Sequence, residues 1–258
     1  MQACVCPHPP LLIPEVGGSH IARVEATDTA MRRLAAAVGE RETVIALSPH
    51  APVYRTAFTI KSAPELWGDF SAFGRPDARQ EHANDLELVD AIVEAGSAAG
   101  LEIIPVDDET IDHGVLVPMH YLRARHVVII SIVPQYGVHR ELGRVIRTAV
   151  ETTGRDALFL ASGDMSHRLI PGAPAGYDER GPAFDLQVAA LLAAADFDGL
   201  SELDPDLIGG AGECGLRSLI ALGGFLESDE HVRAEVLSYE GPFGVGYLVA
   251  AFNLEVAP

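Results

Sequence analysis

Histidines are the residues of this sequence whose placement points to chemistry. Three of the ten follow apolar runs typical of strands: His8 within PHPP, His50 within SPH and His167 within SGDMSH. Prolines beside His8 and His50 restrict the backbone and so help to fix the direction of each side chain. Because the carboxyl ends of strands form the ligand crevice of open α/β sheets, these histidines predict a site at one sheet edge.

A carboxylate that could join such a site is Glu213, within GGAGECG at the predicted start of a helix. Two histidines with one carboxylate form the donor set of non-haem Fe(II) sites, whereas imidazoles alone suggest zinc. A structural role is equally open, because the helix dipole stabilises an acidic residue at a helix N-terminus. Successive residues there point about 100° apart. Only one of Glu213 and Cys214 is therefore expected to face a metal.

The remaining histidines give weaker signals, because a lone loop histidine is more often solvated or hydrogen-bonded than functional. His113 is the exception, since it lies in a predicted loop, DHG, after the acidic residues 107–109. We interpret the other six as structural. They are His20, His82, His120, His126, His139 and His231.

Short β-rich runs alternate with helical patterns along the whole chain. The predicted strands are residues 3–6, 43–47, 57–60, 102–106, 126–133, 157–161, 234–238 and 246–252. Apolar residues at helical spacing predict helices within 19–39, 142–150, 184–192 and 216–225, and a capping box of Asn84 and Glu87 opens another. The alternation predicts one α/β domain over residues 1–258, with a largely parallel or mixed central sheet flanked by helices on both faces.

Charge and composition limit the classes of partner. The 258 residues carry 37 acidic and 18 basic side chains, a net charge of −19. Such a surface repels phosphates, which argues against a nucleic-acid or anionic-membrane binder. The apolar runs are far shorter than the roughly 20 residues that span a bilayer, and the first residues do not resemble a signal peptide.

The three cysteines, Cys4, Cys6 and Cys214, are too few for a disulfide framework and indicate a reducing compartment. We therefore expect a cytoplasmic protein. Cys4 and Cys6 are interpreted as small buried residues on opposite faces of the first strand.

Several motifs together resemble those of a known family. PHPP at 7–10, SPH at 48–50, DHGVLVP at 112–118 and SGDMSH at 162–167 occur in the order seen in class III extradiol ring-cleavage dioxygenases. The likeness is to the catalytic B-subunit type, in a superfamily that includes the Memo-like proteins. The strings ECGLRS at 213–218 and SYEGPFGVGY at 238–247 are similar to a Memo-associated branch. The resemblance runs from residue 8 to residue 252.

The resemblance implies a non-haem Fe(II)-dependent dioxygenase that inserts O2 into the ring of a catechol-type substrate. It makes His8, His50 and Glu213 the metal ligands and His167 the catalytic acid and base. His113 would contact substrate or oxygen. The implied cofactor is Fe(II), with zinc or another divalent metal as alternatives, and no cofactor-binding residues are implied beyond the metal ligands. A homo-oligomer, in its simplest form a dimer, is expected for this fold.

Two other functions stay open. One is a Memo-like protein that binds a metal without cleaving rings, and the other is a hydrolase that uses zinc-bound water. The identity of the ligand next to the glycines distinguishes the dioxygenase from the Memo-like protein. A hard carboxylate from Glu213 favours Fe(II) oxygen chemistry, whereas a thiolate from Cys214 favours softer ions.

Overall fold

A single mixed sheet of ten strands forms the centre of the protein in the computed structural model, which describes residues 1–257. The strands are β1 (Gln2–Cys6), β2 (Glu40–Ser48), β3 (Phe58–Lys61), β4 (Glu65–Phe70), β5 (Arg75–Ala83), β6 (Ile103–Val106), β7 (Arg123–Ser131), β8 (Ala157–Ser162), β9 (Ala234–Glu240) and β10 (Tyr247–Phe252). Each predicted strand has a counterpart among them.

The strand order is β4-β5-β7-β2-β8-β1-β10-β9, with β3 pairing both β6 and β7. Strands β7, β2, β8 and β1 are parallel neighbours, while β10 pairs antiparallel with β1 and β9. The parallel strands are buried on both faces, as is usual when helices cover each side of a sheet. The prediction of a mixed α/β sheet is confirmed.

The helices are α1 (Pro14–Gly17), α2 (Glu25–Val38), α3 (Leu86–Ala99), α4 (His113–Tyr121), α5 (Val138–Thr153), α6 (Arg180–Ala193), α7 (Phe197–Ser201), α8 (Pro205–Ala211) and α9 (Leu216–Leu226). Alternate side chains of a strand point to opposite faces, so the sheet has a core on each side. Ile45 packs in the core with α3, α5, α6 and α9, and its neighbour Val44 packs in the core with α2 and α4. Helices on both faces are thus confirmed.

Two helix starts differ from their predicted positions, and one hairpin was not predicted. The first turns of the helix expected within 19–39 form a 3-10 helix, Gly18–Val24, and α2 begins only at Glu25. The N-cap of α3 is Asp85, which accepts a hydrogen bond from Leu88 N at 3.2 Å. Asn84 is engaged elsewhere, because its amide donates to the carbonyls of Lys61 and Ala63. The β4–β5 hairpin was not predicted, because its polar second strand carries no apolar alternation.

The expected placement of Cys4 and Cys6 on opposite faces was wrong. Residues two apart in a strand share a face. Both thiols lie in the same core, with their sulfur atoms 4.0 Å apart. Their interpretation as buried small residues is consistent with that core position.

Within residues 1–257, no helix combines the length and the apolar character needed to span a bilayer.

Asp185 on α6 is a fully buried carboxylate that links three parts of the structure. It accepts hydrogen bonds from Ser166 N and from the Tyr239 hydroxyl, each at 2.7 Å. Burial outweighs these bonds and raises the pKa of Asp185 to about 6. The folded protein therefore holds this proton more tightly than the unfolded chain does. It follows that this group's contribution to stability falls as pH rises from about 4 to about 6.

We expect Asp185→Asn to stabilise the protein above pH 7 by about 1–3 kcal/mol, because the amide keeps the shape without the buried charge. The gain should shrink toward zero near pH 4, where Asp185 is already protonated. Thermal unfolding of both proteins at pH 4, 6 and 8 measures it. An equal gain at every pH would contradict this explanation.

Candidate metal centre

Side chains from five segments meet at one edge of the sheet. His8 follows β1, His50 follows β2 and His167 follows β8, and these three strands are parallel neighbours. His113 is the first residue of α4 rather than a loop residue, and Cys214 precedes α9. Parallel strands end at the same edge, which brings the three strand-end histidines together. The residues before α9 reach the same edge, so chain segments more than 200 residues apart contribute to one site.

Three imidazoles form the centre of this site. His8, His50 and His113 offer ligand nitrogens that all lie within 4.8 Å of one another. The Nε2 atoms of His8 and His50 are 3.1 Å apart, and the ring centres of His50 and His113 are 4.1 Å apart. Imidazoles brought this close, with their nitrogens converging, form an arrangement that could bind a metal ion.

The hydrogen bonds around His8 fix which of its nitrogens is free. The Ser162 hydroxyl has a single proton, which it donates to the Gly114 carbonyl at 2.5 Å. Ser162 therefore accepts a proton from His8 Nδ1, which lies 2.9 Å away. The lone pair of His8 is consequently on Nε2, the nitrogen that faces His50. A second residue orients the ring in the way typical of metal-binding histidines.

Burial favours the neutral form of two of the three imidazoles, His8 and His113. It lowers the pKa of His8 well below its usual value, and the nearby His50 and His113 lower it further. Burial likewise lowers the pKa of His113, with His50 adding to the effect. The neutral imidazole is the form that binds metals, so these shifts favour ligation over protonation.

The Asp112 carboxylate lies beside the imidazoles, and only one of its oxygens accepts hydrogen bonds from the described residues. Asp112 caps α4 and accepts hydrogen bonds through Oδ1 from the Ser48 hydroxyl at 2.7 Å and from Gly114 N at 2.8 Å. Its other oxygen, Oδ2, is buried and has no hydrogen-bond partner among residues 1–257. A buried carboxylate oxygen without a partner is costly, and a nearby cation would offset that cost.

The Cys214 thiol also reaches the cluster. Its Sγ lies 3.7 Å from His8 Nε2 and accepts a hydrogen bond from Asp164 N at 3.2 Å. Donors on one ion, with bonds of about 2.1 Å to nitrogen and about 2.3 Å to sulfur, lie roughly 3.0–3.7 Å apart. The separations of His8 from His50 and from Cys214 both fit this range, so the residues fit a bound transition metal.

Glu213, which the sequence predicted as a ligand, has other partners. Its side chain is 1% exposed, and its carboxylate accepts hydrogen bonds from the Tyr136 hydroxyl at 2.8 Å and from Leu216 N at 2.6 Å. Neither of these partners belongs to the imidazole cluster, whereas Cys214 Sγ contacts His8. These contacts are those of an acidic residue at a helix N-terminus, the structural role that the sequence left open. We therefore revise the ligand set below.

His167 lies close to the cluster, and its hydrogen bonds show which of its two ring nitrogens carries the proton. Its Nδ1 donates to the Gly212 carbonyl at 2.7 Å, which leaves the lone pair on Nε2. Asp164 lies between His167 and His8, since its Oδ2 is 4.0 Å from the Nε2 atom of each. Burial raises the pKa of Asp164, and the surrounding imidazoles oppose that rise.

Sequence reasoning missed three residues that support the site: Ser162, Asp164 and Asp112. All three stand inside the motifs SGDMSH and DHG, next to the histidines that were singled out. The motifs were therefore sufficient to indicate that these three residues lie near the site. The hydrogen bonds that give these residues their roles join distant segments and cannot be read from spacing.

Comparison with known proteins agrees with this geometry. Residues 2–250 match the family described as the catalytic LigB subunit of aromatic ring-opening dioxygenase. The chain belongs to the LigB family. The family is metal-dependent, which agrees with a histidine cluster able to bind a metal.

One relative by sequence and one by structure are described by name only. Protein CA_C1420 of Clostridium acetobutylicum is 30% identical over 257 residues, covering 93% of this chain and 55% of its own length. The chain thus spans about half the length of this curated relative. The crystal structure of an uncharacterised Escherichia coli K12 protein, JW3007, has a TM-score of 0.65 at 14% identity, covering 98% of this chain and 99% of that one. This second likeness is one of fold.

Proposed function

We propose that this LigB-family protein is a non-haem Fe(II)-dependent extradiol dioxygenase that opens the ring of a catechol-type substrate. In this proposal His8, His50 and Cys214 hold the metal. The observation that supports it is the convergence of the His50 nitrogen and the Cys214 sulfur on the free nitrogen of His8, in a chain that matches an aromatic ring-opening family along its length.

The metal would supply adjacent coordination positions at which the diol and O2 are brought together. His167 would accept the phenolic proton at Nε2, because its Nδ1 proton is held by the Gly212 carbonyl. The same nitrogen would return the proton later. His113 would contact the substrate hydroxyl or oxygen from within the cluster.

An aromatic wall stands beside His113. The Phe73 ring lies 5.3 Å from the His113 ring in an edge-to-face arrangement and is 40% exposed. Phe70 packs behind it at 6.3 Å. An exposed aromatic ring next to the cluster suits the binding of a flat aromatic substrate, since paired rings contribute about 0.5–1.5 kcal/mol beyond burial.

A second function is favoured by one specific contact. The Cys214 sulfur, rather than the Glu213 carboxylate, lies against His8. Thiolate donors suit softer ions such as zinc or Cu(I). A Memo-like protein that binds such a metal without cleaving rings therefore remains the alternative.

Anaerobic loading with Fe(II), followed by a panel of catechols in the presence of O2, tests the proposal. We expect one of the catechols to be consumed with O2 in equal amounts and to give the yellow, conjugated product of extradiol cleavage. The zinc-loaded protein is the matched control and should be inactive. Tight metal binding without O2 consumption on any catechol would favour the Memo-like alternative.

A further inference from the structure

The buried carboxylate of Glu213 stands one residue before the proposed sulfur ligand and has no role in the proposed chemistry. A buried charge is costly unless hydrogen bonds and an opposite charge compensate it. Its two oxygens are taken by the Tyr136 hydroxyl and by Leu216 N, and the Arg217 guanidinium lies 3.7 Å away. Three groups therefore share this single carboxylate.

These contacts join two loops. Arg217 lies over the Tyr136 ring at 4.0 Å, and it donates to the Pro134 carbonyl through two nitrogens at 3.1 and 3.2 Å. Pro134 and Tyr136 belong to the loop between β7 and α5, whereas Glu213 lies in the loop before α9. Burial, followed by the Glu213 charge, raises the pKa of Tyr136, so its hydroxyl stays a donor.

The loop that carries Cys214 is held by hydrogen bonds on both sides of that residue in the sequence. It begins at Gly212, whose positive φ of 60° lies in the left-handed region. The Asp164 carbonyl accepts from Gly215 N at 3.0 Å, and the Cys214 sulfur accepts from Asp164 N. The Glu213 carboxylate contacts Tyr136 and Leu216 N, so the residues before and after Cys214 are both held in place.

We propose that Glu213 is a positioning residue, which holds the Cys214 sulfur against His8 by anchoring its loop to Tyr136 and Arg217. The inference rests on the proposed metal site. It gives Glu213 an indirect role in metal binding, through the geometry of its neighbour. Residues that orient metal ligands typically change metal affinity 10–100-fold when they are removed.

Co(II) titration tests this inference, because a thiolate bound to Co(II) gives a near-ultraviolet charge-transfer band that is independent of catalysis. We expect Glu213→Ala to lower Co(II) affinity by about 10–100-fold and to weaken the band. Glu213→Gln should restore both largely, since its amide can accept from Leu216 N and donate to the Tyr136 oxygen. Tyr136→Phe, which leaves Glu213 in place, should give an intermediate loss.

The controls separate this inference from the proposed site. Cys214→Ser should abolish the band whatever the role of Glu213. A wild-type protein that binds no Co(II), or binds it without the band, would overturn the proposed site and this inference with it. A normal wild-type band that Glu213→Ala leaves unchanged would overturn the inference alone. If Glu213→Gln loses the metal while Tyr136→Phe does not, Glu213 is itself a ligand. Thermal unfolding of each variant shows whether it is folded. If Glu213→Ala does not fold, Tyr136→Phe serves as the test in its place.

Discussion

Replacing His50 with alanine is expected to lower metal affinity by at least about 100-fold, because removing even a residue that only orients a ligand costs 10–100-fold. The reason is geometric, since His50 supplies one of the two nitrogens that lie 3.1 Å apart at the centre of the cluster. Elemental analysis after anaerobic loading with Fe(II) measures the remaining metal per chain.

His8 should behave in the same way. It is 2% exposed, so His8→Gln is the better variant because it fills more of the space than alanine does. His231→Ala is the matched control, since His231 is exposed and lies outside the cluster. Unchanged metal content in both the His8 and the His50 variants would disprove the site.

His167→Ala is expected to keep its metal and to bind a catechol, yet to turn over about 10²–10⁴-fold more slowly, the usual contribution of general acid–base catalysis. The physical basis is the lone pair on Nε2, which the Gly212 carbonyl leaves free by holding the proton on Nδ1. Steady-state rates on the best catechol, with metal content measured in the same samples, check this.

His167→Asn provides the matched comparison, because its amide nitrogen lies where Nδ1 of the histidine lies. Its amide can still donate to the Gly212 carbonyl, but it cannot carry a proton between substrate atoms. We therefore expect both variants to be slowed to a similar degree. Loss of metal in either variant would instead make His167 a ligand.

Much of the fold could be predicted because buried strands and helices place apolar residues at characteristic spacings in the sequence. The strand predicted at 126–133 corresponds to β7, whose apolar residues 127–130 pack alternately in the cores on the two faces of the sheet. The second strand of the β4–β5 hairpin has no such spacing, since the side chains of β5 are exposed or half-buried. It is a strand because it pairs with β4. Its structure depends on tertiary context that alternation cannot show.

The site was predictable in part for a similar reason. Parallel strands end at one edge, so the meeting of His8 and His50 follows from topology once the strand order is right. The choice between Glu213 and Cys214 could not be predicted, because it depends on a tyrosine and an arginine that approach from another loop. The catalytic roles, the oligomeric state and the cytoplasmic location stay predictions.

The distance along the chain between His8 and Cys214 has a consequence for how the protein would acquire its metal. These residues are in contact yet 206 positions apart, so the donor set exists only after β1 has paired with β8 and the loop before α9 has formed. A nascent chain therefore lacks the site. The folded protein and the ions available to it determine which metal is bound. A metal held there would also act as a tether between the two ends of the chain. At a free concentration 100 times its Kd, it would add about 2.7 kcal/mol to the free energy of unfolding.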